Sequence, residues 1–104
     1  MGQLTLRISI QESDNAIGFT LMGRLAGPWV EELERTWKEV AARLDGKKLS
    51  VDVRDLTYSD AGGKRVLRDM CRRSRTEFIT NSAWSQNLAQ EIKNSNSISD
   101  NGRA

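Results

Sequence analysis

A chain of 104 residues with 38% apolar and 29% charged side chains is sized and balanced for one soluble globular domain. Its formal charge of +2 excludes a global basic field, so any attraction to nucleic acid or membrane has to come from local clustering. Histidine is absent and Cys71 is the sole cysteine, which removes the commonest general base near neutral pH, the Ser-His and Cys-His nucleophile pairs, an internal disulfide and a multi-thiolate zinc site.

Leu4, Leu6, Ile8 and Ile10 alternate with Thr5, Arg7 and Ser9, the period of a strand with one buried face. After a polar turn over residues 12–15, Ile17, Phe19 and Leu21 face one way and Gly18, Thr20 and Met22 the other. The two runs predict an antiparallel hairpin. Glycine and proline then punctuate GRLAGPW, and Pro28 suits the first turn of a helix because its missing N–H is not needed there. On that helix Val30, Leu33, Trp37, Val40, Ala41 and Leu44 share an arc. Glu31 with Arg35, Glu34 with Lys38 and Glu39 with Arg43 stand at i,i+4, and Gly46 is the expected stop.

Leu49, Val51 and Val53 predict a third strand, again apolar on one face only, so helices are expected mainly on one side of the sheet. The segment TYSDAGGKRVL follows, placing a small, acid-tipped turn at a strand-to-helix junction, where the first helical amides lack intrahelical acceptors. In the second helix Val66, Leu67, Met70 and Cys71 share the apolar side, opposite a basic face of Lys64, Arg65, Arg68, Arg72 and Arg75. Residues 77–80 predict a short fourth strand. A third helix is expected over residues 83–92, with Trp84, Leu88 and Ile92 packing inward, and the polar residues 93–104 are expected to form a disordered tail beyond a single domain over 1–92. No basic and apolar leader or membrane-length apolar run is present, which predicts a cytoplasmic protein.

The segments MGRLAG (residues 22–27) and LSVDVRDLTYSDAGGKRVL (residues 49–67), in the order strand, strand, helix, strand, helix, strand, helix, resemble the STAS domain, the fold of sulfate transporters and anti-sigma-factor antagonists. The resemblance spans roughly residues 4–78. It implies an α/β fold, STAS-like, with a mixed sheet of about four strands and helices packed mainly on one face. It also implies a non-enzymatic regulatory module whose partner is a protein, an anti-sigma factor or kinase or a transporter subunit. No cofactor, metal, nucleic acid or membrane insertion is expected. In that family the turn commonly reads Asp-Ser-Ser-Gly and carries a phosphorylated Ser or Thr. Here it reads Asp60-Ala61-Gly62-Gly63, with Gly62 in the place of the phospho-acceptor.

The expected partner-binding residues are Tyr58, Ser59, Asp60, Ala61, Gly62, Gly63, Lys64, Arg65, Arg68 and Arg72. Ser59 and Thr57 are the substitute candidates for phosphorylation. Asp60 reads equally as a partner contact and as a helix N-cap, the glycines as a docking surface or an easing of the turn, and the basic face as a docking patch or a solvated one. Cys71 reads as an inert buried thiol. Two other functions stay open: a constitutive subunit of a larger assembly without a phosphorylation cycle, and a small-ligand or nucleotide-binding domain using the helix amino terminus as an anion site.

Overall fold

The computed structural model describes residues 5–101. The elements in order are β1 (Leu6–Glu12), β2 (Ala16–Leu25), α1 (Pro28–Ala41), β3 (Lys48–Ser59), α2 (Ala61–Arg73), β4 (Thr76–Ile79) and α3 (Ala83–Asn101). One sheet runs in the order β1-β2-β3-β4, with β1 antiparallel to β2 and both other pairings parallel. The mixed four-stranded α/β architecture expected from the sequence is therefore the one observed.

Alternation places the core. Ile17, Phe19 and Leu21 of β2 and Leu49, Val51 and Val53 of β3 are buried, and they sit side by side in the register Ile17↔Leu49 and Phe19↔Val51. The helical stripes Leu33, Trp37 and Val40 of α1, Val66, Leu67 and Met70 of α2, and Leu88 and Ile92 of α3 complete the same cluster. Trp37 packs edge-on to Phe19 with centroids 6.3 Å apart, and its indole N–H donates to Asp69 Oδ2 at 3.2 Å, so the largest core side chain leaves no unpaired donor. Gly18, Thr20, Ser50 and Asp52 point to the other face and are only half-buried.

Several expectations are corrected. β1 is an edge strand in which Leu6 is buried, Ile8 partly so and Ile10 is 37% exposed, and Leu4 lies outside the described residues. Trp84 is 40% exposed; Ser85, fully buried, takes the inward position instead. The cause is a reciprocal cap: Ser82 Oγ accepts from the Ser85 amide at 3.1 Å while Ser85 Oγ accepts from the Ser82 amide at 3.0 Å, which sets the phase of α3. α3 also continues past Ile92 to Asn101, with Gln90 Nε2 donating to Asn94 Oδ1 one turn on. Arg43 pairs with Glu12 at 3.2 Å rather than with the Glu39 carboxylate, because α1 ends at Ala41. Arg35 bonds Glu32 at 2.8 Å instead of Glu31, and Lys38 does approach Glu34, at 3.9 Å.

β3 runs further than the sequence pattern suggests, taking in Thr57, Tyr58 and Ser59. Between the pairs Thr20↔Asp52 and Leu25↔Ser59 it advances two residues more than β2, one at each of two irregularities in register. Its buried positions shift accordingly from Leu49, Val51 and Val53 to Leu56 and then Ser59. Each irregularity is pinned by a side chain. Asp52 Oδ1 accepts from the Arg54 amide at 3.0 Å, and Thr57 Oγ1 donates to the Gly23 carbonyl at 2.9 Å. Gly23 itself has φ 103°, and a Cβ there would stand 2.3 Å from the Thr5 carbonyl oxygen, a space open only to glycine.

Candidate partner-binding site

The end of β3 delivers Asp60 to the start of α2, where it is the N-cap in an extended conformation. Its Oδ1 accepts from the Gly63 amide at 2.8 Å and its Oδ2 accepts from the Gly27 amide at 3.2 Å. Gly27 is in turn the N-cap residue of α1, at φ 60°, and supplies no side chain of its own to cap that helix. One carboxylate thus ties the starts of two helices together, and the Asp60 amide closes the junction by donating to the Leu25 carbonyl at 3.0 Å. The helix N-cap reading of Asp60 is the one the geometry shows.

The two glycines differ. Gly63 is buried, and a Cβ on it would lie 2.6 Å from both Leu25 Cγ and Ser59 Oγ, so the close packing of α2 on the strand ends requires glycine. Gly62 is half-buried, and a Cβ there would meet Asp60 Oδ1 at 3.5 Å and Val30 Cγ1 at 3.6 Å, ordinary contact distances. A methyl group at residue 62 fits without displacement.

Tyr58 is 41% exposed, with the Arg24 guanidinium 4.4 Å from its ring centroid, a cation-π contact that orients the ring. Ala61 and Arg65 of α2 are exposed, as are Gly27 and Pro28 at the start of α1. Of the two candidate hydroxyls, Ser59 is 6% exposed beneath Gly63 and donates to the Asp60 carbonyl at 3.1 Å, whereas Thr57 lies at the surface.

The predicted basic face does not hold together as one patch. Lys64 is drawn onto α3 by Glu91 at 3.3 Å, and Arg68 is half-buried and engaged with its surroundings. Arg72 lies near the carboxyl end of α2, roughly 15 Å from Gly62 along the helix axis. Arg75 lies beyond the helix altogether. The structure brings Asp60, Gly62 and Gly63 together with Gly27 and Val30, and sets Tyr58 against Arg24. Arg24 belongs to β2, Gly27 is the N-cap of α1 and Val30 lies in α1, and none of these was anticipated as part of the site. The signal for them was the Gly27-Pro28 pair, whose exposed amide needs an acceptor from elsewhere.

No protein-family model matches the sequence, and no curated protein matches it. Among solved structures the chain is similar to the anti-sigma factor antagonist SpoIIAA in its unphosphorylated form, at 14% identity and a TM-score of 0.66, over 83% of this chain and 82% of that one. It is also similar to Mglu at 12% identity and a TM-score of 0.61, over 72% of this chain but 20% of Mglu. An antisigma-factor antagonist STAS domain from Rhodobacter sphaeroides aligns over 86% of this chain and 96% of its own at 15% identity, with a TM-score of 0.48. The fold is STAS-like, as the motif segments implied.

Proposed function

We propose that this STAS-like domain is a non-enzymatic regulatory module that binds a protein partner through Tyr58, Ala61, Gly62 and the first turns of α2. The carrying observation is the double cap by Asp60, which fixes the starts of α1 and α2 in one exposed strip. Such a strip binds with little ordering cost. An aromatic ring backed by Arg24, with the exposed Arg65 on the first turns of α2, suits a partner surface with an apolar centre and an acidic rim. The likeness to SpoIIAA makes an anti-sigma factor or its kinase the first partner to try, with a transporter subunit next.

Within this reading the module acts constitutively. Gly62 offers no hydroxyl, and Ser59 is buried with its hydroxyl engaged. Thr57 is the remaining site for a phosphate, at the cost of its bond to the Gly23 carbonyl. A nucleotide site at the α2 amino terminus is disfavoured because the chain's own carboxylate already accepts from the Gly63 amide. No helix among the described residues is long and apolar enough to cross a membrane, and we place the module in the cytoplasm.

A photo-crosslinking residue at position 58 identifies the partner, which is then purified and titrated with wild type and with the Tyr58→Ala/Ala61→Arg double variant. Loss of binding with an unchanged circular dichroism spectrum is expected. Retention of full affinity by the double variant would remove the site from this strip.

A further inference from the structure

At the pole opposite Asp60, the starts of β2, β3 and β4 and the end of α2 enclose an open cleft of about 930 Å³. Five cations line it, Lys48, Arg72, Arg73, Arg75 and Lys93, against the single acid Glu77. That concentration contrasts with a net charge of +2 for the whole chain. Elsewhere the acids neutralise their neighbours: Glu12 holds Arg43 and Lys47, Asp52 holds Arg54, and Glu91 holds Lys64. Among the described residues, Lys48, Arg72 and Arg75 make no ion pair, Arg73 reaches Asp69 only at 3.8 Å, and Lys93 stands 6.0 Å over the Phe78 ring.

Arg72 and Arg73 lie in the last turn of α2, where cations offset the carbonyl end of the helix dipole. That role does not extend to Lys48, Arg75 or Lys93, which come from β3, the α2–β4 connection and α3. Like charges gathered from four segments around a concavity repel one another unless an anion sits among them. Planar guanidinium groups match phosphate oxygens in pairs, and the cleft has the size of a small-molecule site. We infer that this cleft binds a small molecule carrying two or more phosphate groups, independently of the partner strip at the other pole.

The test titrates sodium tripolyphosphate into the full chain at roughly 0.15 M salt, where charges more than ~8 Å apart are largely screened. Binding is read by calorimetry and by amide chemical shifts. Saturable binding is expected, with shifts at Leu49, Ser74, Arg75 and Glu77 and none at Gly62 or Gly63. Arg72→Glu and Arg75→Glu, made singly, should each weaken it by about tenfold or more, whereas Arg65→Glu, the same charge change at the other pole, should leave it unchanged. As a readout that needs no variant, tripolyphosphate should slow alkylation of Cys71, which is half-buried in the cleft wall rather than fully buried as expected, relative to sodium chloride at equal ionic strength. Non-saturating binding, equal loss in Arg65→Glu, unchanged alkylation, or tighter binding of an oligoglutamate peptide than of tripolyphosphate would each overturn the assignment.

Discussion

Alanine has opposite consequences at the adjacent residues Gly62 and Gly63. At Gly63 the new methyl would stand 2.6 Å from Leu25 Cγ, 2.6 Å from Ser59 Oγ and 2.9 Å from Leu25 Cδ2. Leu25 is fully buried and Ser59 nearly so, which leaves neither a place to retreat. Overpacking of this kind costs ~1–3 kcal/mol, and the better helix propensity of alanine returns at most ~1 kcal/mol. At Gly62 the contacts of 3.5 and 3.6 Å need no displacement, so the reduced freedom of the unfolded chain prevails and stabilises by ~0.4–1 kcal/mol. The two variants should therefore differ by about 2 kcal/mol, and each kcal/mol moves the melting temperature of a domain this size by about 4–8 °C. Urea unfolding followed by the fluorescence of buried Trp37 measures the difference, with an unchanged slope confirming that the same surface is exposed. Equal stability of the two variants, or a Gly63→Ala protein as stable as wild type, would refute the packing argument.

Asp60→Ala removes both carboxylate bonds and should cost ~1–2 kcal/mol. Faster amide exchange at both Gly63 and Gly27 is the specific signature, and a change at Gly63 alone would show that the two helix starts are not coupled. Stability should also fall in acid. The Arg54 side chain holds the Asp52 carboxyl below its ordinary value of 3.8, and hydrogen bonds from Lys47 and then Arg43 hold Glu12 below 4.5. Because these folded-state values lie below the unfolded ones, the folded chain binds fewer protons than the unfolded one in that window. The stabilisation is complete above those ordinary values and is lost as pH falls through the depressed ones. Urea midpoints measured from neutral pH down past those values check this, and Asp52→Asn should flatten the acid limb.

Where local period and burial agreed, the fold was legible. The odd-numbered apolar residues Leu49, Val51 and Val53, the α1 residues Leu33, Trp37 and Val40 and the inward residues of β2 are all buried as their spacing implies. Legibility failed where tertiary partners set the answer. The step from Val53 to Leu56 to Ser59 follows no strand period, so residues 57–59 looked like a turn until the register with β2 was known. Lys64 and Arg43 seemed to belong to their own helices, yet their acids come from α3 and β1. Asp60 was recognisable as a helix N-cap from its place before the helix, but its second bond crosses 33 residues to Gly27 and has no local signature.

The two extra residues in β3 also bear on how this chain tolerates changes in length. The first moves the inward set from odd to even positions, and the second returns it to odd, which is why Ser59 points in and Asp60 reaches the helix starts. Deleting one residue between Arg54 and Thr57 would bring the Asp60 carboxylate into the buried place of Ser59 and strip both caps at once. Deleting two would restore the facing but draw the strand end back by ~7 Å, at ~3.3 Å per residue. Insertions and deletions in this strand are thus confined to paired changes matched in β2, while the turn at Asp45 and Gly46 lies at the opposite pole from the Asp60 junction.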